Sequence, residues 1–353
     1  MQAPGSNIIL DILDVLKKYS DREHALTQRD ISRILMEKYG YENLLDTRRS
    51  TVRRNIIKIF EHFDLRDKNR ITMGTEENSD DISNVYSQFK YNHYFTNAEL
   101  RLIIDSIFFS PHIPKDQRKE LIKNLKKLTS KNFKSHLGRV KFLERNEPFN
   151  TQLFETIKIL DQAIKERKKV AFYYEYYVIE NSKPHLKKRL NNKGKPRRYI
   201  INPYELVARN GRYYLVCNFD YFNDLSNYRV DRIIDIEILD ENRKELKEIS
   251  KSRNLDLEKY MREHIYMFGG KTINVRMKFT PQILGEFIDW FGTEDIVFRE
   301  DSEGNILASV SVNKEAMKKW ALQYAKHVTV YHPEELVKEI QEDLRQVIKN
   351  YGL

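Results

Sequence analysis

The 353-residue sequence is poor in the residues that build disulfide frameworks and structural zinc sites, because it has one cysteine, Cys217. A single thiol cannot form an internal disulfide, and it excludes any zinc site made of several cysteines. Cys217 lies in the apolar segment 212–219, where we expect a small buried residue rather than a redox thiol. The nine histidines do not cluster. We therefore expect no bound metal ion and no cofactor.

Long apolar runs and nucleotide-hydrolysis motifs are also missing. No stretch approaches the roughly 20 apolar residues of a membrane-spanning helix, and the acidic N-terminal segment does not resemble a signal peptide. These features predict a cytoplasmic protein without a membrane partner. The patterns G-x-x-x-x-G-K-[ST], G-x-G-x-x-G and G-x-S-x-G do not occur. The sequence thus offers no catalytic centre, and we expect no enzyme activity.

Charge is what the sequence has in excess, with a formal net charge of +10 and 32% charged residues. A basic surplus of this size favours a polyanionic partner, although it says nothing about the fold. The length exceeds what one hydrophobic core normally organises, so we expect two to four domains.

The first ~65 residues have the periodicity of three helices. Ser6 is a candidate N-cap of the first helix, Thr27 caps the second, and Gly40 ends it. The third helix begins at Asp46 or Thr47. Its inner stripe follows the 3.6-residue period and consists of Val52, Ile56, Ile59 and Phe60. Three short helices joined by tight turns outline a helix-turn-helix domain.

The third helix has a basic outward face that suits the major groove of DNA. Residues 47–60 contain four arginines, one lysine and no acid. Arginine can bind guanine with two hydrogen bonds, and serine or threonine can reach bases or phosphates. The candidate DNA-binding residues are Thr47, Arg48, Arg49, Ser50, Thr51, Arg53 and Arg54. A solvated surface helix would explain the same charges, and that alternative remains open.

Residues 65–95 are polar, and they predict a linker or a long, poorly ordered wing with only a poor hairpin. Helices return near 96–110 and 114–130. Residues 115–145 carry eleven lysines or arginines and three acids, a pattern typical of a lysine-clad helix face. Residues 182–198 carry eight and no acid. This second run predicts a flexible hairpin loop that either touches a polyanion or stays solvated.

After a further helix at 150–168, the period changes to that of strands at residue 169. The segment "NGRYYLVCNFDYFNDLSNYRVDRI" at 210–233 predicts two strands. Alternation places Arg232 on one face with Tyr228 and Val230, where an unpaired guanidinium is costly. Either an acid such as Asp231, Asp235 or Glu205 neutralises it, or an anionic ligand does. Aromatic rings beside arginines suit a nucleotide or a single strand, because rings stack bases and guanidinium groups hold phosphate.

The same segment resembles the WYL domain of bacterial transcription regulators. The resemblance rests on "PYELVARNGRYYLV" at 203–216 and "YRVDRI" at 228–233. The Trp-Tyr-Leu triplet that names the domain is Tyr213, Tyr214 and Leu215 here, and Ser226 stands where an arginine is often found. The N-terminal helices are similar to the winged helix-turn-helix that usually precedes this domain. Residues 272–353 resemble the C-terminal extension, called WCX, that often follows it.

The resemblance implies an α+β multidomain fold. The expected parts are a winged helix-turn-helix at 1–75, a helical linker region at 76–149, a WYL domain at 150–250 and a ferredoxin-like α/β domain at 268–353. The WYL domain is expected to be a compact Sm-like β-barrel.

The implied function is that of a ligand-responsive, DNA-binding transcription regulator. The barrel would sense a nucleic-acid or nucleotide-like anionic effector, such as a short single-stranded DNA. The effector-binding residues implied on the matching positions are Tyr204, Tyr214, Arg229 and Arg232. Double-stranded promoter DNA would be bound by a homodimer. The alternative is a constitutive RNA- or single-strand-binding protein without effector control, and structural ion pairing is the alternative role of the arginines.

Overall fold

The computed structural model describes residues 7–45, 49–76, 85–108, 110, 113–133, 150–249 and 256–352. The chain forms two compact units, Met1–Arg145 and Asn146–Leu353. Within the described residues, no helix is both long enough and apolar enough to cross a bilayer.

Three helices open the first unit, as the periodicity predicts: α1 (Ile8–Tyr19), α2 (Gln28–Tyr39) and α3 (Arg49–Arg66). Thr27 caps α2 through a reciprocal capping box with Asp30, and Gly40 ends it in the left-handed conformation. The three helices share one core, in which the fully buried side chains include Ile12, Leu16, Ile31, Leu35, Val52 and Ile56. The predicted caps Ser6, Asp46 and Thr47 lie outside the described residues.

A β-hairpin follows α3 where the sequence analysis expects a linker or a poorly ordered wing. Strands β1 (Ile71–Glu76) and β2 (Val85–Tyr91) pair antiparallel. Phe89 and Tyr91 are buried in the core of the three helices, and Leu26 forms an isolated bridge to Phe89. The expectation was wrong for these strands, because the buried aromatic residues of β2 pack the strand pair against the helices. This core therefore continues past residue 75.

Two more helices complete the described part of this unit, α4 (Asn97–Phe108) and α5 (Lys115–Leu125). A 3₁₀ turn at Lys126–Leu128 extends α5. Leu100, Ile104 and Ile122 form a small separate core between the two helices. The lysines of α5 are exposed or half-buried around this core.

The second unit begins with α6 (Leu153–Glu166) and a curled antiparallel sheet. Its strands are β3 (Lys168–Glu180), β4 (Lys183–Lys188), β5 (Arg198–Arg209), β6 (Arg212–Asn218), β7 (Ser226–Arg229) and β8 (Ile233–Asn242). The strand order is β4-β3-β5-β6-β7, and β8 pairs with β3. One long strand, β3, thus has partners β4, β5 and β8, which curls the sheet into a half-barrel.

Aromatic residues of this sheet and of the loop after β6 form a cluster. Phe172, Tyr174, Tyr199, Phe219 and Tyr228 have ring centroids 5.0–6.3 Å apart. Ring pairs of this geometry stabilise the fold by more than their buried apolar area alone.

The predicted alternation of side chains along 228–233 was wrong, because a 3₁₀ turn at Val230–Arg232 separates β7 from β8.

The predicted flexible loop at 182–198 is largely ordered. Strand β4 pairs with the second half of β3 from Glu175↔Lys188 to Glu180↔Lys183. The turn between them is Asn181–Ser182, and both residues have positive φ, 51° and 60°, as a type I′ hairpin turn requires.

The last part of the chain contains a second sheet with helices on one face. Its elements are β9 (Thr272–Phe279), α8 (Leu284–Phe291), β10 (Arg299–Glu300), β11 (Ile306–Asn313), α9 (Lys314–Gln323), β12 (Val328–His332) and α10 (Glu334–Asn350). The strand order is β10-β11-β9-β12. Val275, Met277, Val310, Phe287 and Trp320 belong to the core between sheet and helices.

A short helix, α7 (Leu257–Glu263), joins the two sheets. Tyr260 of α7 and Met267 pack against Val207 and Val216 of the curled sheet. The chain then passes so close to β7 that a Cβ on Gly269 would lie 3.1 Å from the carbonyl oxygen of Leu225. A side chain at position 269 would therefore require the two segments to move apart by a few tenths of an ångström.

Candidate functional site

A cleft of about 780 Å³ opens between the curled sheet and the helices of the C-terminal sheet. Its walls come from β3, β6, β7 and the 3₁₀ turn on one side, and from segment 265–269, α8 and α9 on the other. None of the described residues that line it is acidic. Six lining residues are basic: Arg189, Arg209, Arg212, Arg229, Arg232 and Lys319. A cleft with charges of one sign concentrates ligands of the other sign.

Aromatic side chains line both walls of the cleft: Tyr174, Tyr214, Tyr228, Tyr266, Phe268 and Trp290. On the C-terminal wall, the Tyr266 ring lies 4.7 Å from Trp290 and 5.7 Å from Phe268, measured between centroids. The Lys319 ammonium lies 5.2 Å from the Tyr266 centroid. Rings beside cations suit a ligand that has both flat apolar groups and negative charge.

Arg229 is the one cleft arginine held by a carboxylate in the described structure. Its Nε and Nη2 donate to Asp231 at 3.0 and 2.6 Å, and the two side chains are 20% and 12% exposed. The Arg229 backbone N–H also donates to the Tyr174 hydroxyl at 3.2 Å. Burial lowers the pKa of Arg229, but the Asp231 carboxylate outweighs burial, so its pKa lies above the ordinary value. Asp231 thus fixes Arg229 in the cleft wall.

Arg212 and Arg232 are half-buried and form no ion pair with any described carboxylate. The Nε of each is shielded from solvent and makes no hydrogen bond within the described structure. Arg232 lies over the Tyr177 ring, 5.4 Å from its centroid. A half-buried guanidinium has already lost part of its hydration, so binding an anion costs it little further desolvation. The N–H groups that have no partner in the described structure can then donate hydrogen bonds to the anion.

Arg209 connects the two walls of the cleft through hydrogen bonds. Its guanidinium donates to the carbonyl oxygen of Met261 in α7, and to that of Trp290 in α8 at 3.2 Å. Burial lowers the pKa of Arg209. Arg209 also pairs in register with Arg212 across the Asn210–Gly211 turn. Two arginines therefore meet at this hairpin end, inside the cleft.

The four predicted effector residues separate into two places. Tyr214, Arg229 and Arg232 line the cleft, and Tyr214 is opposite Arg229 in the β6–β7 pairing. Tyr204 does not line it: its side chain is buried, its hydroxyl donates to the Lys244 carbonyl at 3.0 Å, and Arg243 lies over its ring. Burial raises the pKa of Tyr204. That a ligand touches Tyr204 stays a prediction.

Several cleft residues were not predicted to bind a ligand. Arg189 lies in the basic run 182–198, and Arg209 and Arg212 lie on either side of the Asn210–Gly211 turn. Tyr266, Phe268, Trp290 and Lys319 come from beyond residue 260, where large aromatics at helical spacing indicate core packing. No local pattern in the sequence shows that these residues face β6 and β7.

The predicted DNA-binding residues are found in the first turns of α3, as far as the structure describes them. Arg49, Ser50, Arg53 and Arg54 are exposed, and Thr51 is half-buried. Thr47 and Arg48 lie outside the described residues. Val52 and Ile56 are fully buried. At 100° per residue Arg54 projects from the opposite side of the helix and Arg53 from its edge, while Arg49 lies in the first turn. The side chain of Gln28 donates to the Arg49 carbonyl at 2.7 Å, which connects α2 to the start of α3.

The described part of the chain contains no group of three or more histidine, cysteine, aspartate or glutamate side chains that could hold a metal ion. Cys217 is buried in β6, and burial raises its pKa.

Comparison with protein families identifies both halves of the cleft. The WYL domain family matches residues 155–238, and the WCX domain family matches residues 271–348. The first match contains the curled sheet up to β8, and the second contains the C-terminal sheet. The chain therefore contains a WYL domain followed by a WCX domain. The cleft lies between these two domains.

Two solved structures are similar to the chain over most of its length. One is the proteasome accessory factor B/C (PafBC) of Arthrobacter aurescens, with 12% identity and a TM-score of 0.27. That match covers 95% of this chain and 47% of the other, so this chain spans about half the length of that protein. The second is a CRISPR Cas-related protein, with 12% identity, a TM-score of 0.36, and coverage of 100% of this chain and 88% of the other. Comparison with curated protein sequences gives no match.

Proposed function

We propose that this protein is a transcription regulator that binds promoter DNA through α3 and responds to a nucleic-acid or nucleotide-like anion bound in the WYL–WCX cleft. In this proposal the N-terminal unit is a winged helix-turn-helix, the WYL domain an Sm-like barrel and the WCX domain a ferredoxin-like unit. The chemistry at both sites is binding, with no reaction assigned to either.

The composition of the cleft is the observation that supports an anionic effector. Six basic residues and six aromatic residues line it, and no described lining residue is acidic. Arg212 and Arg232 are half-buried without a carboxylate partner among the described residues, which is unfavourable until an anion arrives. Aromatic rings on both walls add a reason for a nucleobase rather than a bare phosphate.

The exposed face of α3 supports a duplex-binding role for the N-terminal unit. Arg49, Arg53 and Arg54 are exposed in the first two turns of a helix that buries Val52, Ile56 and Ile59. The N-terminal turns of a recognition helix are the part that reaches base edges. A single helix offers limited specific contact, and two-fold operators solve this with two copies. We therefore propose that the regulator acts as a homodimer.

The effector must bind one arrangement of the regulator more tightly than another to change promoter binding. The cleft meets this requirement in a simple way, because its two walls belong to different domains. A ligand that touches both walls stabilises the docked arrangement of WYL and WCX domains. Any change in that docking is then linked to effector concentration.

The experiment is fluorescence anisotropy with the duplex upstream of the protein's own gene, with and without short single-stranded oligonucleotides. We expect a preference of ~10³ or more for this duplex over random DNA, and a shift in affinity when the oligonucleotides are added. The double variant Arg229→Ala with Arg232→Ala should retain duplex binding and lose the shift. Circular dichroism checks that the variant is folded.

The variant Arg54→Ala provides the reciprocal control. It should weaken duplex binding and leave oligonucleotide binding intact. Equal loss of both activities in either variant would contradict the assignment of two separate sites. Steep salt dependence with no preference among duplexes would instead favour the constitutive single-strand binder.

A further inference from the structure

A basic two-stranded arm leads away from the cleft. The pairs that β3 forms with β5 and β8 end at Tyr173 and Tyr174. Beyond them, β3 and β4 continue as a hairpin over residues 175–188. We call this hairpin the arm. Its base lies at the cleft, because Tyr174 and Arg189 both line the cleft and the Arg189 N–H donates to the Tyr174 carbonyl at 2.8 Å.

One face of the arm is continuous with the cleft. Side chains alternate along a strand, so every second residue after Tyr174 shares its side of the sheet. The cross-strand pairs on that side are Tyr176↔Lys187, Val178↔His185 and Glu180↔Lys183. Lys183, His185, Lys187 and Arg189 are all exposed. The guanidinium of Arg189 lies 5.9 Å from the centroids of Tyr174 and of Tyr176.

The two faces of the arm differ in charge balance. On the face shared with Tyr174, Glu180 is the one carboxylate, and it pairs with Lys187. On the other face, Lys188 is 2.7 Å from Asp235 and lies next to Glu175, and Ile179 and Leu186 are apolar. The cleft side therefore has a surplus of positive charge, with Lys183, Lys187 and Arg189 against the single carboxylate of Glu180, whereas Lys188 and Glu175 balance each other on the other face.

The arm is held in its conformation before any ligand binds. Six cross-strand pairs align β3 with β4, and the Asn181–Ser182 turn has the positive φ values of a tight hairpin. The adjoining loop is also ordered, because the Asn191 side chain accepts from the N–H groups of Lys193 and Lys195 at 2.9 and 3.1 Å. A surface formed in advance loses little entropy when a flexible partner binds to it.

These observations extend the ligand site beyond the cleft. We propose that a single-stranded nucleic acid leaves the cleft past Arg189 and follows the Lys187–Lys183 face of the arm, roughly 20 Å at the rise of a β-strand. The ligand class is then a strand of several nucleotides, and not a mononucleotide. This proposal rests on the proposed function of the cleft. The arm contributes phosphate contacts without base selection, since it offers cations but few exposed rings.

The test is a length series of fluorescein-labelled oligothymidylates, from the dinucleotide to about ten nucleotides, titrated into the full chain. The arm variant is Lys183→Ala with Lys187→Ala, and Arg189 is kept because it belongs to the cleft. The matched control is Lys158→Ala with Lys165→Ala, which removes the same charge from the exposed face of α6. We expect affinity to rise with length in wild type and control, and to level off early in the arm variant.

Salt dependence gives a second readout that a structural role would not change. Each phosphate contact contributes about 0.7 to the slope of log affinity against log salt for single strands. Because Lys187 is paired with Glu180 in the free protein, the arm variant should lower that slope by about 0.7 to 1.4 for long strands and not at all for the dinucleotide. An arm variant that matches the α6 control at every length overturns the proposal. A two-stranded ribbon can also enter a major groove, so weakened duplex binding with unchanged oligothymidylate binding overturns it in favour of a duplex role. If no oligothymidylate binds wild type, the proposed function of the cleft fails as well.

Discussion

The two basic surfaces of this protein are built differently. On α3, Arg49, Arg53 and Arg54 are exposed to solvent. In the WYL–WCX cleft, Arg209, Arg212, Arg229 and Arg232 are half-buried and lie beside aromatic rings. Hydrated cations act over a distance and are screened by salt. Half-buried cations have lost part of their hydration and favour a ligand that fits closely.

The difference teaches that net charge alone does not locate the sites. The sum of +10 predicts a polyanionic partner, but it does not separate a surface that recognises a duplex from a cleft that retains an effector. Burial does separate them, because a half-buried arginine without a carboxylate is unfavourable unless it serves a partner. Variants of the two surfaces should therefore differ in magnitude as well as in ligand.

The largest effect is expected from the cleft arginines without carboxylate partners among the described residues. The change is Arg212→Gln with Arg232→Gln, which keeps polar side chains and removes two charges. Hydrogen bonds to charged groups contribute roughly 1.5–3 kcal/mol each, so oligonucleotide affinity should fall about 100-fold or more. Isothermal titration calorimetry measures the loss, and promoter-duplex affinity is the control. A loss under threefold would mean that the ligand binds elsewhere.

A smaller effect is expected on α3 from Arg54→Ala. A base contact in the major groove contributes about 1–3 kcal/mol of discrimination, which corresponds to roughly 5- to 150-fold in affinity for the specific duplex. Random DNA should be affected much less. Lys58→Ala, one turn further along the exposed side, serves as the matched control. Equal weakening on specific and random duplexes would reassign Arg54 to a phosphate contact.

The sequence predicted one wall of the cleft and not the other, for a physical reason. Tyr214, Arg229 and Arg232 lie close together in the chain, on strands whose pattern is local. The WCX wall is brought to them by contacts between residues that are distant in sequence, such as Arg209 with Trp290. Tyr204 was assigned from the same local pattern, but the β5–β6 register shifts between Pro203 and Glu205. A bulge redirects side chains, and Tyr204 is buried beside Arg243 and Lys244.

In the N-terminal unit, too, the sequence predicted the local elements but not the contacts between distant residues. The three helices follow from their apolar period and caps. Strands β1 and β2 were missed because the segment between them is polar, whereas Phe89 and Tyr91 are what connect the hairpin to the helical core. Two aromatic residues spaced by two positions are a weak signal of a strand in the sequence. Their burial depends on packing against α1 and α2, which no local pattern shows.

A still smaller effect, of about tenfold, is expected on the aromatic wall of the cleft. Trp290→Ala removes a ring that lies 4.7 Å from Tyr266. Stacking of one base contributes about 1–3 kcal/mol, so oligonucleotide affinity should fall roughly tenfold, while the affinity for inorganic pyrophosphate stays unchanged. Trp290→Phe should retain most of the binding. Parallel losses for both ligands would mean that the wall shapes the cleft and does not stack a base.

The smallest effect is expected from Asp231→Asn, which removes the carboxylate partner of one cleft arginine. In Asp231→Asn the carboxylate that holds Arg229 at 2.6 Å is replaced by a neutral amide. Loss of a charge-assisted hydrogen bond should cost about 1–3 kcal/mol of the free energy of unfolding, seen as a lower Tm of the free protein. The released Arg229 should bind the ligand better, by a few-fold, and the ligand should therefore raise Tm more in the variant than in wild type. A ligand-induced shift in Tm that is equal in both proteins would mean that Arg229 supports the sheet and takes no part in anion binding.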